Sequence, residues 1–235
     1  MPRLRHILWR MAVSVSFSTL SFGAPMLGQV DTFTGSAQGW TNGSRAPDPT
    51  VVPTGGPGGI ADSYLRITGN GDGPGGKITA FNVSQWAGDY FSSGIGAISM
   101  DLLNLGTVPL SIRIGLRSSF GLGSSGFSST TPYTLAADGT WHQATFLLDA
   151  ASLTRINSTT LSLDALLSHV GELRILDSNT PSLTGTPITS QLGVDNVRAE
   201  AVQAVPEPSS LLLIAPALAL CIGASRRALR RTLYS

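Results

Sequence analysis

Leu110-Ser111-Ile112-Arg113-Ile114-Gly115-Leu116-Arg117 alternates apolar with polar or small residues over eight positions. A period of two is the pattern of a strand buried on one face, because successive side chains of an extended chain point to opposite sides. Leu110, Ile112, Ile114 and Leu116 are therefore expected to line a core, and Arg113 and Arg117 to face water. Upstream, Ile98, Met100 and Leu102 share one side of a second strand; downstream, Ala144, Phe146 and Leu148 do the same within residues 141–148. Further out, residues 64–68 put Leu65 and Ile67 on one face, and residues 77–82, 172–177 and 192–200 read as strands. A short strand opens the folded region at Asp31.

Between these runs lie stretches dominated by Gly, Pro, Ser, Asn and Asp. Residues 42–62, 69–76, 118–131 and 179–191 are expected to be loops on that composition. Residues 160–170 alone have helical spacing, with Leu163, Leu166, Leu167 and Val170 three or four apart. About nine strands and one short helix predict an all-β protein, two antiparallel sheets packed as a jelly-roll-like β-sandwich.

Both ends are set apart from this domain. Residues 1–28 carry Arg3, Arg5 and Arg10 before an uncharged apolar, serine-rich run, then small residues suited to cleavage, which is the pattern of a secretory signal peptide. At the other end, residues 201–205 form a linker. After it come Pro206-Glu207-Pro208, an apolar run from Leu211 to Ala224, and Arg226, Arg227, Arg230 and Arg231. The apolar run is expected to enter lipid as a hydrophobic helix, with the arginines on the cytoplasmic side. Its fourteen residues, interrupted by Pro216, fall short of the about 20 that span a bilayer comfortably. That favours a transient anchor over an ordinary single-pass one.

The ends also distort the charge balance. They hold seven of the fifteen basic residues; residues 29–204 carry eight basic against thirteen acidic side chains, a net of about −5. Nucleic acid needs clustered Lys and Arg, so it is not an expected partner, while cations and neutral glycans remain open. The one cysteine, Cys221, lies in the tail, so disulfides do not staple the domain.

The segment 206–231 resembles the PEP-CTERM sorting signal of Gram-negative bacteria, with the Pro206-Glu207-Pro208 motif, apolar segment and arginine cluster in order. The resemblance implies recognition by an exosortase, a membrane-embedded cysteine protease that processes the tail. The protein would be exported through the inner membrane, held there transiently, and passed to the cell surface or an extracellular polysaccharide matrix.

A second resemblance is more diffuse. Phe33, Gln38-Gly39-Trp40, the Gly55-Gly56-Pro57-Gly58-Gly59 loop before Tyr64-Leu65-Arg66-Ile67, Trp86-Ala87-Gly88-Asp89-Tyr90, and Leu192-Gly193-Val194-Asp195-Asn196-Val197 look like pieces of galactose-binding-like and laminin-type β-sandwiches used by carbohydrate-binding modules. In such sandwiches a structural calcium commonly ties the last strand to the first, which would make Asp31 and Asp195 its carboxylate ligands here. Loop carbonyls would complete the oxygen-rich shell calcium requires.

Trp86, Asp89 and Tyr90 stand together in a loop-like stretch, where rings could stack on a sugar and a carboxylate could accept hydroxyl hydrogen bonds; core plugs are the alternative for the aromatics. Trp40 and Trp141, at strand edges, are expected to be plugs. Catalytic patterns are sparse. Only His142 and His169 fall in the domain, outside any His-Glu-x-x-His motif, and no Gly-x-Ser-x-Gly elbow occurs. Gly71-Asp-Gly-Pro-Gly-Gly76 matches Gly-x-Gly-x-x-Gly formally, but Pro74 and the strand-like residues after it provide no helix N-terminus for a pyrophosphate. The sequence thus reads as a non-enzymatic, carbohydrate-binding or matrix-embedded sandwich. The alternatives are a secreted glycan hydrolase built on a carboxylate pair, and a structural matrix protein with no ligand site.

Overall fold

The computed structural model describes residues 25–43, 47–73, 75–118, 125–157 and 161–202. The expected sorting segment 206–231 and residues 1–24 of the expected signal peptide lie outside the described residues. In chain order the strands are β1 (Val30–Asp31), β2 (Trp40–Thr41), β3 (Thr50–Val52), β4 (Tyr64–Asn70), β5 (Thr79–Asn82), β6 (Ala97–Asn104) and β7 (Leu110–Ser118). There follow β8 (Gly126–Ser129), β9 (Tyr133–Leu135), β10 (Trp141–Leu147), β11 (Leu153–Ile156), helix α1 (Leu163–Leu167), β12 (Val170–Asp177) and β13 (Thr189–Glu200).

The strands form two antiparallel sheets. One has six strands in the order β10-β6-β13-β4-β3, with β1 also on β13; the other has seven, in the order β11-β8-β7-β12-β5-β2, with β9 also on β7. The alternation read from the sequence sets which side of each strand is dry. Ile98, Met100 and Leu102 of β6 stand beside Phe146, Ala144 and His142 of β10. On the same side Leu102 meets Val194 of β13, and Val194 meets Leu65 of β4. All of these but the partly exposed His142 join Ile112, Ile114, Leu116, Leu173 and Ile175 of the seven-stranded sheet in a single buried cluster. A β-sandwich of antiparallel sheets is what the spacing predicted.

Three local expectations are revised. The helix is shorter than residues 160–170: Ser162 caps it, accepting a hydrogen bond from the Ala165 amide at 3.2 Å, and Val170 already begins β12 and bridges Gly88. Short strands β3 and β8 fall inside stretches read as loops. Gly126 in β8 explains why a glycine-rich sequence can be strand. A Cβ there would lie 2.0 Å from the Leu116 carbonyl oxygen, so pairing at this distance admits only glycine.

Arg113 does not face water. The segment after β12 folds over the outer side of the seven-stranded sheet, and Arg113 is 2% exposed beneath it. Its guanidinium donates to the carbonyls of Ser178 (2.9 Å), Thr130 (2.9 Å), Asn179 (3.2 Å) and Ser129. Arg117, four residues on, keeps partial exposure and lies 3.8 Å from Glu172. Arg113→Leu is expected to destabilise the fold by on the order of 3 kcal/mol, because it strands buried carbonyls whose hydrogen bonds come from a charged donor. Denaturant unfolding of the variant checks this, and a change within error would mean that water replaces the guanidinium at no cost.

Candidate functional site

Trp86, Asp89 and Tyr90 do not form a surface site. Trp86 and Tyr90 are fully buried; the Trp86 indole N–H donates to Asp31 Oδ2 at 2.7 Å, and the Tyr90 hydroxyl donates to the Trp86 carbonyl at 2.8 Å. Burial pushes the Tyr90 phenol up, with the negative charge of Asp31 adding to it. Asp89 is occupied locally, accepting from the Ser92 amide at 2.8 Å, and the Ser92 hydrogen bonds hold its carboxyl below the usual range. Rings with no exposed face have no surface on which a sugar can stack, so these two aromatics are plugs.

Asp31 is a buried acceptor rather than half of a calcium site shared with Asp195. Besides Trp86 it accepts from the Trp40 indole at 2.7 Å and from the Gln85 amide. Burial raises its pKa, against the lowering effect of those three donors. Trp40 is thus the plug expected of it. Asp195 belongs to the opposite side of the six-stranded sheet: it stands beside Asp101, which alternates with the core residues Met100 and Leu102. Asp31 packs among core tryptophans and Asp195 on the outer side, and their partners do not overlap. Among the described residues no group of three or more His, Cys, Asp or Glu side chains is arranged to hold a metal ion.

The outer side of that sheet is where functional side chains converge. Because Leu65 and Ile67 point inward, Tyr64 and Arg66 of β4 point outward. The same parity turns Gly193 and Asp195 of β13, Ser99, Asp101 and Leu103 of β6, and Trp141, Gln143 and Thr145 of β10 to this face. Tyr64 and Trp141 come from strands separated by two others, yet their ring centroids are 5.3 Å apart at 78°, edge to face. They meet over Gly193, where a Cβ would lie 3.1 Å from Leu103, 3.2 Å from the Trp141 ring and 3.3 Å from the Tyr64 ring. Glycine leaves room for both rings to lean inward.

Polar groups surround this pair. The Trp141 indole N–H donates to the Gly55 carbonyl at 3.1 Å, pinning the ring beside the β3–β4 loop. A bulge between Asp195 and Arg198 places Asn196 at φ 50°, a left-handed conformation that asparagine tolerates better than most residues. From there its Nδ2 donates to Asp101 at 2.8 Å and its Oδ1 accepts from Arg198 at 3.3 Å. The Arg66 Nε is buried with no hydrogen-bond partner, while Gln143 and Thr145 are exposed.

Asp195 is 1% exposed. Burial pushes its carboxyl up to about 7, the charges of Asp62 and Asp101 and a hydrogen bond with Asp62 adding to the rise, against the Asn196 amide, which lowers it. A carboxyl with a raised folded-state pKa binds more protons folded than unfolded across the window between the two values. Stability is therefore expected to be greatest near pH 4 and to fall by a few kcal/mol towards pH 7, with Asp31 acting in the same direction. Asp195→Asn is expected to flatten that slope, leaving the part due to Asp31; an unchanged pH profile of melting in this variant assigns the slope to other groups.

No family model matches this chain, and no curated protein matches it. Solved structures similar to it include the family 11 carbohydrate-binding module from Clostridium thermocellum in complex with a β-1,3-1,4-mixed-linked tetrasaccharide. That likeness has a TM-score of 0.48 and 16% identity, covering 74% of this chain and 96% of that one. A carbohydrate-binding module of family 28, specific for non-crystalline cellulose, has a TM-score of 0.41 and 14% identity over 76% of this chain and 98% of its own. An exo-β-agarase has a TM-score of 0.44 and 10% identity, over 69% of this chain and 22% of its own. The sandwich assignment itself rests on this chain's own strand pairing.

Chemically, the outer face offers aromatic surface, a guanidinium, carboxylates and amides side by side, which is a set suited to hydroxyl-rich ligands. The histidine cluster elsewhere is less apt for catalysis. His142 Nε2 contacts both Asp138 Oδ2 and the Thr140 hydroxyl, each at 2.9 Å. A relay needs the base to use one ring nitrogen for the hydroxyl and the other for the carboxylate, and here both compete for the same atom.

Proposed function

We propose that this protein is a non-enzymatic carbohydrate-binding β-sandwich whose ligand face is the outer side of the six-stranded sheet. The observation that carries this reading is the partly exposed Trp141 ring, braced edge to face over Gly193 by the buried Tyr64, flanked by Arg66, Asp101 and Gln143. Aromatic rings contribute large, stiff contact surface at little entropic cost, and the adjacent donors and acceptors orient hydroxyls. Retention of the protein on the exopolysaccharide of its own cell, weakened by Gly193→Leu, tests the reading. Gly193→Leu fills the space into which both rings lean; equal retention of this variant would move the site elsewhere. Release of reducing sugar from the same material would instead favour the hydrolase alternative, and no retention at all would favour a purely structural matrix protein.

Delivery belongs to the same proposal. Pro206, Glu207 and Pro208, the apolar run after them and Arg226, Arg227, Arg230 and Arg231 support sorting by an exosortase after export, with transient membrane anchoring before release to the cell surface or matrix. Intact mass of the mature protein from its native cell is expected to show loss of both ends. A mass that retains Tyr234-Ser235 contradicts it and leaves a plain membrane anchor.

A further inference from the structure

The free edges of the two sheets differ in make. β3 has three residues between Pro49 and Pro53, β2 has two, and β11 has four with Arg155 among them. Shortness, proline and charge are the usual means of keeping an edge from pairing with another chain. β10 uses none of them. It runs for seven residues from Trp141 to Leu147 without Pro, Lys, Arg, Asp or Glu. Its register against β6 is unbroken from Trp141 opposite Leu103 to Leu147 opposite Ala97, so no bulge blunts it.

The unused hydrogen-bonding groups of this edge follow from one bond. Just beyond the last paired residue, the Leu148 amide donates to the Gly96 carbonyl at 2.9 Å. In an unbroken antiparallel ladder alternate residues turn both backbone groups to the same neighbour. The even-numbered residues of β10 therefore bond β6, and Trp141, Gln143, Thr145 and Leu147 turn their amides and carbonyls away from the sheet. Among the described residues, β10 pairs with β6 alone. The same four residues have their side chains on the outer face, where Leu147 is 42% exposed.

We infer that β10 pairs antiparallel with β10 of a second copy about a two-fold axis at Ala144, joining the six-stranded sheets of two molecules into one. The strand is complementary to itself in this register. Rotation about Ala144 sets Trp141 opposite the partner's Leu147 and Gln143 opposite the partner's Thr145, so that each outward-turned amide meets an outward-turned carbonyl. Parity is kept, which leaves both outer faces on one side of the joined sheet and covers the exposed Leu147 with the partner's Trp141. No like charges meet along the seam, because the first charged residues, Asp138 and Asp149, lie beyond the paired stretch. Such symmetric self-pairing is the isologous contact of a closed dimer. That the joined face lengthens the surface offered to a polysaccharide rests on the glycan reading above. The pairing itself is tested with no glycan present, so the failure of either leaves the other standing.

The test is hydrogen exchange of the full chain in detergent micelles at rising protein concentration. Exchange at the amides of Gln143, Thr145 and Leu147 is expected to slow with concentration, by about tenfold once about nine chains in ten are paired, while the amides bonded to β6 change little. Thr145→Pro removes an amide that faces away from β6, a position where an edge strand tolerates proline; the concentration dependence at Gln143 and Leu147 is expected to vanish with the fold retained. Thr145→Lys, which brings two ammonium groups to the seam, serves should Thr145→Pro fold poorly. Register is read in a Cys221→Ser background by oxidising a mixture of Gln143→Cys and Thr145→Cys chains, where the mixed disulfide is expected to exceed both like pairs. Exchange that stays fast at every concentration, protection that is the same at every concentration and so comes from a segment of the same chain, or slowing that persists in both Thr145 variants would each overturn the pairing. Equal yields of mixed and like disulfides would overturn the two-fold at Ala144.

Discussion

Trp141→Ala is expected to weaken glycan binding by about 10- to 100-fold, the loss associated with removing a central aromatic anchor, while leaving the fold nearly intact. The separation of the two effects follows from where the ring sits. Trp141 begins β10 on the outer face, is only partly buried, and gives the core none of its surface. Its removal costs the edge-to-face contact with Tyr64 and the hydrogen bond to Gly55, together about 1–2 kcal/mol of stability. Calorimetric titration of wild type and variant with the same polysaccharide checks the affinity, and a melting curve checks the fold. Equal affinities would remove the ring from the site.

Trp86→Ala is expected to do the reverse. Trp86 is fully buried between the sheets, and truncating a buried aromatic costs about 3–5 kcal/mol through lost transfer energy and the cavity left behind. It also deprives Asp31 of a 2.7 Å hydrogen bond in a setting where the carboxylate has few alternatives. Trp86→Phe keeps most of the volume and loses mainly that donor, so its cost should be clearly smaller. Denaturant unfolding of the two variants measures the difference, and whatever fraction of Trp86→Phe is folded should bind glycan with wild-type affinity. A binding defect in folded Trp86→Phe would restore the ligand role that burial denies this ring.

The contrast between these two tryptophans shows what the sequence made legible. Residues 141–148 were read with Ala144, Phe146 and Leu148 inward, and the same parity places Trp141 outward. Yet a strand-edge tryptophan in isolation looks like a plug, so the sequence alone points the ring to the core. Alternation likewise implies that Tyr64, Arg66 and Asp101 face away from Leu65, Ile67 and Met100, whereas the sequence of residues 192–200 reads as a strand without an assigned face. What one-dimensional reading lacks is the order of strands across the sheet. β10, β6, β13 and β4 are neighbours in space although the chain visits them out of order, so correct parities for β4, β6 and β10 do not assemble into one face until the pairing is known.

The other misreadings have local causes. Arg113 sits at a polar position of a cleanly alternating strand, and only the later segment that folds over it takes it from water. Trp86 and Tyr90 lie in a stretch with no strand, where chain direction carries no parity signal at all. Asp31 and Asp195 are close along paired strands, since Asp31 stands beside Val197, but the bulge at Asn196 and the sheet itself put their carboxylates on opposite sides. A spacing argument does not see which side of a sheet a side chain leaves from once a bulge intervenes.

The most direct measurement of the central claim is an NMR titration of the ¹⁵N-labelled protein with oligosaccharides prepared from the exopolysaccharide of its own cell. Shifts are expected on the Trp141 indole N–H and on the amides of Tyr64, Arg66, Asp101, Gln143 and Gly193, with the Trp40 and Trp86 indoles unmoved. Shifts confined to the seven-stranded sheet, or none at saturating ligand, would contradict the assignment of this face as the glycan site.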